Sequence, residues 1–258
     1  LALALITGIV VIGGLKRIAE VASYLVPFMG SIYFGAMLIA IFLNLELVVP
    51  AFKLIFIDAF NGTAIAGGTF IGVLIYGVRR GAFSNEAGMG TESLVHGVAK
   101  VSHPVKQGLV AMTGPIFDTL IICTATALII LISGVWETST SQGVTLTSEA
   151  FNLLLGDLGG FILFACVICF GLSTIFTYSY YGATCARFIF GSFGMNFYIY
   201  LYIIGIFIYS IVPIDIAINI ADGAFAMMAI PTLISALWLA PKVMQESRNY
   251  FKLINNIE

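Results

Sequence analysis

The chain has 258 residues, 60% hydrophobic and only 9% charged, with a mean hydropathy of +1.07. Soluble domains are near a quarter charged, so this composition excludes an ordinary soluble domain and points to a membrane protein. The net charge is −2, and the 11 Lys and Arg are not gathered into a basic cluster, which leaves no case for a nucleic-acid partner.

The first element is the run LALALITGIVVIGG (residues 1–14). It has neither a Met nor a basic region ahead of it, so it reads as a helix already under way rather than a leader. The chain is therefore expected to be the C-terminal part of something longer. Further apolar runs long enough to span follow at residues 24–43, 108–135, 159–186, 196–212 and 217–239, and a more complex one at 63–99. If residues 63–99 cross once, the total is seven crossings.

The placement of Lys and Arg tests that scheme. One side receives Lys16, Arg17, Lys100, Lys106, Arg187, Lys242, Arg248 and Lys252, and the other only Lys53. Such a bias requires residues 63–99 to cross once, with the first helix running inward and the C-terminus cytoplasmic. It puts the loop at residues 137–157, free of Lys and Arg, outside. Residues 48–60 (VVPAFKLIFIDAF) are too short and mixed for a full span and read as an amphipathic helix on the outer interface. A second short span is the weaker alternative, since it reverses everything after it.

Residues 63–99 carry the feature that needs explaining. Their uninterrupted apolar part, residues 64–78, is only 15 long, and RRGAFSNEAGMGTES follows from residue 79. Exposing such a stretch to lipid costs about 2.5–3.5 kcal/mol for a central charge. Two half-helices around an unwound stretch avoid that cost if the stretch is buried or lines a watery cavity. Gly81, Gly88 and Gly90 permit the backbone to depart from a helix, and Ser84 and Asn85 can bond freed backbone groups. Such breaks suit a carboxylate at a helix N-terminus and a sodium ion at free carbonyls. The competing reading, a polar cytoplasmic or re-entrant loop, conflicts with the charge count.

The run Arg79-Arg80-Gly81-Ala82-Phe83-Ser84-Asn85-Glu86-Ala87-Gly88-Met89-Gly90 resembles the signature of the alanine/glycine:cation symporter family. So do His103-Pro104-Val105-Lys106-Gln107-Gly108 with Phe117-Asp118-Thr119, and Ser173-Thr174-Ile175 leading to Tyr180-Tyr181-Gly182. Leu15-Lys16-Arg17-Ile18-Ala19, Leu25-Val26-Pro27-Phe28-Met29 and Asp222 before Met228-Ala229-Ile230-Pro231 extend the likeness along the chain. The resemblance implies an all-α integral membrane, leucine-transporter-like fold of inverted five-helix repeats. The seven crossings here would be its fourth to tenth. The first repeat would end near residue 47, the second would cover about 63–240, and residues 241–258 would be a cytoplasmic tail of one transporter domain.

It further implies sodium-coupled import of a small neutral amino acid, alanine or glycine, by alternating access in a prokaryotic plasma membrane. Sodium would be the coupling ion and no cofactor is expected. Phe83, Ser84, Asn85, Gly88, Met89 and Gly90 are then substrate-facing candidates, joined by Thr174 and Tyr178. Ser173 and Thr177, with Glu86, are the weaker ion-binding candidates. Glu86 is read as neutralising Arg80 or bonding the broken backbone ahead of ligating the ion, and the hydroxyls of Ser173, Thr174 and Thr177 could bond back to their own helix. Asp118 and Asp222, early in their helices, are expected to be structural before ion-binding.

Three departures stand out: Tyr178 where the family commonly has Trp, Thr91-Glu92-Ser93 after the signature, and Ala183 in place of a Glu. Proton coupling through an intramembrane carboxylate is the alternative within transporters. An intramembrane enzyme is disfavoured, because His96 and His103 lie at or beyond a helix end, are expected to face solvent, and form no ligand spacing. A channel is disfavoured because the spans lack a continuous polar stripe. Cys166-x-x-Cys169 has no second pair or nearby His, so its cysteines read as small packing residues.

Overall fold

The computed structural model describes residues 2–60, 69–86 and 88–255, with the side chains of residues 2, 15, 16, 69, 70 and 215 outside that description. The start of the expected broken segment at residues 63–68, Ala87 of the signature and residues 256–258 of the expected tail lie outside the described residues, as do the side chains of Leu15 and Lys16.

Every regular element among the described residues is helical. The order is α1 (Ala2–Val11), α2 (Gly14–Leu43), α3 (Leu45–Ala59), α4 (Thr69–Ser84) and α5 (Thr91–His96). There follow α6 (Pro104–Ala111), a single turn at Thr113–Pro115, a π-helical stretch π1 (Ile116–Cys123) and α7 (Thr124–Ser133). The chain ends with the short α8 (Val135–Thr138), α9 (Val144–Leu155), α10 (Asp157–Tyr209) and α11 (Ile214–Asn255). Four helical stretches, Arg17–Leu43, Pro104–Ser133, Asp157–Tyr209 and Ile216–Asn255, are long and apolar enough to cross a membrane.

Their apolar side chains point outward to a degree no soluble protein tolerates: Phe188 is 92% exposed, Trp238 84% and Phe193 79%. Surfaces of that kind are stable against lipid or further helices, because neither demands hydrogen bonds from them. As one straight helix the 53 residues of α10 would reach about 80 Å, well over twice the hydrocarbon core. It is interrupted at Gly191, whose φ of 72° and ψ of −160° are not helical. That interruption falls between the two apolar runs at 159–186 and 196–212.

Two compact units emerge, one from residues 1–75 and 120–206 and the other from residues 76–119 and 207–258. The core of the first gathers Tyr33, Ala36, Met37 and Ala40 of α2, Ala125 and Ile129 of α7, Ala150 and Phe151 of α9, and Leu163 and Cys166 of α10. Small residues at four of those positions let helices approach closely, which is how packing energy is won inside a membrane. Tyr33 stacks on Phe151 with ring centroids 5.7 Å apart, and its hydroxyl lies 2.9 Å from that of Thr126. Cys166 points its thiol at the Met29 carbonyl, the packing role expected for it. A smaller cluster joins Val11, Ile18 and Phe176.

Four local expectations need adjusting. Residues 137–157 are not a simple loop, because α9 lies within them. Thr147, Ala150 and Phe151 recur at helical spacing and are buried, so this helix is held by tertiary packing. The second helix begins at Gly14 rather than near residue 24, so Arg17 and Glu20 sit on its first turns. Gly81 is helical inside α4. Residues 241–255 of the expected tail continue α11 without interruption, through Pro241. Residues 48–60, by contrast, fall almost wholly within α3, as their pattern predicts.

Outside the spanning helices, Glu149 on α9 accepts from the Ser141 hydroxyl at 2.6 Å. Hydrogen bonds from Ser139 and Ser141 hold its carboxyl below its ordinary value of 4.5. A lowered folded-state pKa adds stability at pH above the ordinary value and loses it as pH falls through the lower one. In thermal melts, Glu149→Gln should therefore differ from the parent at neutral pH, and the gap should close as the pH falls below the ordinary carboxylate range. A gap independent of pH would remove the charge from the explanation.

Candidate functional site

The second unit contains the break. Helix α4 runs to Ser84, and the backbone leaves the helix at residues 85, 86 and 88–90 before α5 starts at Thr91. Among the described residues here, Glu86 at 53°, Gly88 at 77° and Gly90 at 85° have positive φ. Glycine reaches this left-handed region freely, whereas a non-glycine residue such as Glu86 does so at a cost that its surroundings must offset. The turn is closed by backbone bonds from Asn85 N–H to Gly81 O, Glu86 N–H to Phe83 O and Met89 N–H to Glu86 O.

The segment from α4 through the break runs alongside α11 in parallel. Arg79 forms an ion pair with Asp222, and the rings of Phe83 and Phe225 lie 5.2 Å apart. A side chain at Gly88 would touch Leu233 at 3.4 Å, and one at Gly90 would collide with the Thr232 hydroxyl at 2.7 Å. Glycine at residue 90 thus serves both its backbone conformation and a close approach.

Arg79 also lies over the Phe83 ring at 5.7 Å, and Arg80 over Tyr76 at 5.0 Å. The guanidinium charges are accommodated by a carboxylate and by aromatic faces. Asp222 has the structural role expected of it, with Arg79 as its partner.

A second set of contacts ties the break to π1. Ser84 donates to the Asp118 carboxylate. Asn85 donates from Nδ2 to the Thr119 hydroxyl at 2.7 Å and accepts from it at Oδ1, 3.0 Å away. The side chains of Ser84 and Asn85, both predicted to face the substrate, are therefore engaged by a neighbouring helix. Met89 is buried, and so is Thr91, whose hydroxyl has no hydrogen-bond partner among the described residues.

His96 and His103 are not simply solvated, as the sequence suggested. The His96 Nδ1 lies 2.7 Å from Gln107 Nε2. His103 caps α6 by accepting from the Val105 N–H and packs its ring 4.8 Å from Tyr250. Helix starts need such an acceptor, and Pro104 beside it lacks the N–H that a cap would otherwise have to satisfy.

The remaining candidates lie on α10 in the first unit. Ser173 and Thr174 both donate to the Phe170 carbonyl at 2.9 Å, and Thr177 donates to that of Ser173 at 2.9 Å. This is the back-bonding anticipated for hydroxyls in an apolar helix. It occupies their protons while leaving oxygen lone pairs available. Ser173 is buried and Thr174 exposed, so these neighbours face different surroundings. Tyr178 packs against Tyr181, centroids 5.3 Å apart.

Sequence reading passed over Thr119 as a functional residue and left the partners of Arg79 and Asp118 unassigned. The signal for two of these was present, since Asp118 and Thr119 stand together in one of the stretches that carry the resemblance.

A sequence profile of the sodium:alanine symporter family matches residues 1–257. The chain belongs to the sodium:alanine symporter family. Its members are transporters rather than enzymes. The sodium/alanine symporter AgcS of Methanococcus maripaludis is 35% identical over 257 residues, 98% of this chain and 56% of that protein. A probable sodium/glutamine symporter, GlnT of Bacillus subtilis, is 34% identical over 244 residues, 94% of this chain and 51% of its own. A sodium/proton-dependent alanine carrier protein of Bacillus sp. PS3 is 33% identical over 193 residues, 69% of this chain and 43% of the carrier. The chain thus spans about half the length of the relatives it matches most fully.

Proposed function

We propose that this chain is part of a sodium-coupled symporter that carries a small neutral amino acid, alanine or glycine, into the cell by alternating access. The observation that carries the reading is a helix interrupted at residues 85–90, within the family's signature, in a chain whose surroundings are otherwise apolar. Irregular backbone at such depth has unsatisfied groups to offer, and those are what a zwitterion and a dehydrated cation need.

In this reading the backbone of Gly88, Met89 and Gly90 meets the substrate's charged ends, and Phe83 and Met89 wall a pocket sized for a methyl group. Ser84 and Asn85 shape that segment through their side chains. Thr174 and Tyr178 are read as further substrate-binding residues. Ser173 and Thr177, with Glu86, contribute oxygen ligands toward sodium. The architecture is the leucine-transporter-like inverted repeat with seven crossings in this chain, in a plasma membrane, the C-terminus cytoplasmic. The skew of Lys and Arg supports that orientation.

Proton coupling is the second reading, favoured by the carboxylate of Glu86 at the break and by the relative named sodium/proton-dependent. Uptake of labelled alanine into proteoliposomes holding the full-length protein tests both. Accumulation driven by an inward sodium gradient, competed by glycine and abolished by potassium at constant pH, is the expected result. Accumulation driven by a pH gradient alone would overturn sodium coupling.

A further inference from the structure

The contacts between the break and π1 pair two neighbours with two neighbours. Ser84 is the last residue of α4 and Asn85 the first beyond it, while Asp118 and Thr119 are adjacent in π1. Ser84 takes Asp118, and the Asn85 amide brackets the Thr119 hydroxyl at 2.7 and 3.0 Å.

Adjacent side chains on a regular α-helix diverge by about 100°. The wider π turn reduces that divergence, so Asp118 and Thr119 can address one segment together. Immediately beyond this contact Glu86 takes its left-handed conformation at φ 53°. A strained residue persists only where its neighbours over-determine the backbone. The side-chain clasp supplies that determination from one side, and the backbone bonds of Glu86 and Met89 supply it from within the turn.

We propose that Asp118 and Thr119 are positioning residues for the broken segment. They hold the exit of α4 so that residues 85–90 present their backbone to the transported molecule in one conformation. The proposal rests on the reading of the break as the segment that handles substrate. Neither residue touches the substrate; both act through Ser84 and Asn85. The π turn is accordingly a working part of the helix, because it turns Asp118 and Thr119 somewhat more nearly together than a regular turn would.

The test uses the full-length protein with Thr119→Val, Thr119→Ser, Asp118→Ala and Asp118→Asn. Two quantities are read: amide hydrogen exchange over residues 85–90, and the half-saturating concentration and maximal rate of alanine uptake. Thr119→Val should speed exchange in that segment about tenfold and raise the half-saturating concentration about fivefold, the scale of one or two neutral hydrogen bonds. Its maximal rate should change less than about twofold, since the chemistry of transport is untouched. Thr119→Ser should restore both quantities. Asp118→Ala should resemble Thr119→Val, while Asp118→Asn, which keeps an acceptor for Ser84, should stay near the parent.

Unchanged exchange in Thr119→Val and Asp118→Ala overturns the clasp, whatever uptake does. Faster exchange with unchanged half-saturation overturns the positioning role. Should Thr119→Val fail to fold, the pair Asp118→Ala and Asp118→Asn decides the question by the same readouts. If the parent carries neither alanine nor glycine, the proposed function fails, and the exchange measurement still decides the clasp.

Discussion

Gly90→Ala should nearly abolish alanine uptake, while Gly81→Ala, nine positions earlier in the same signature, should be tolerated. At Gly90 a methyl group faces two separate obstacles. The φ of 85° lies in the left-handed region, which costs an L-residue about 1–2 kcal/mol. The added carbon would also stand 2.7 Å from the Thr232 hydroxyl, an overpacking of about 1–3 kcal/mol. That hydroxyl cannot turn aside without loss, because it donates to the Met228 carbonyl at 2.9 Å.

Gly81 is helical, and nothing stands within 4 Å of a side chain built there. Alanine in a helix is favoured over glycine by about 0.5–1 kcal/mol. Uptake and thermal melting of both variants make the comparison. Adding Thr232→Ala to Gly90→Ala should recover the part of the loss due to contact and leave the part due to backbone conformation. Full recovery would mean that the conformation at Gly90 costs nothing, and equal effects at Gly81 and Gly90 would sink the account.

The second large effect concerns the ion pair of Arg79 and Asp222. Its two members are unequally placed: the Arg79 side chain is 44% exposed and that of Asp222 only 10%. Removing Arg79 leaves a nearly buried carboxylate without its counter-charge. Removing the charge of Asp222 leaves a guanidinium that is less enclosed and still has the face of Phe83. Breaking a fully buried pair costs about 3–5 kcal/mol and an exposed one about 0–1, so Arg79→Ala should cost about 2 kcal/mol here.

Asp222→Asn should cost clearly less, and the double substitution less than Arg79→Ala alone, since the stranded charge is then gone. Thermal melting of the three variants in one detergent measures the order. A larger loss for Asp222→Asn than for Arg79→Ala would reverse the assignment of which partner is the buried one.

Much of this molecule can be read without its fold, and the reason lies in the membrane. Lipid demands long apolar helices, so the spans at 108–135 and 217–239 are visible as long, mostly apolar runs. It also makes polar residues costly, so the break at residues 85–90 announces itself as glycines and charges in an apolar setting. The helix at residues 45–59 was legible for a similar reason, its polar residues being spaced so as to leave apolar faces.

Choices among partners were not legible. Arg79 pairs with Asp222 across 143 positions of sequence, and nothing near Arg79 in the chain announces that partner. Glycine permits a positive φ without requiring one, so Gly81, Gly88 and Gly90 look alike until packing bends the chain at the last two. Helix α9 is too short to stand out as a span and follows a polar run, and the burial of Thr147, Ala150 and Phe151 depends on distant residues such as Tyr33. The π turn that brings Asp118 and Thr119 to Ser84 and Asn85 has no local signature. By itself the sequence determined that this is an all-helical membrane protein of the sodium:alanine symporter family, and where its helix breaks. Only the tertiary structure decided what holds the break, because hydrogen bonds and ion pairs form between side chains that the fold, not their order along the chain, brings within reach.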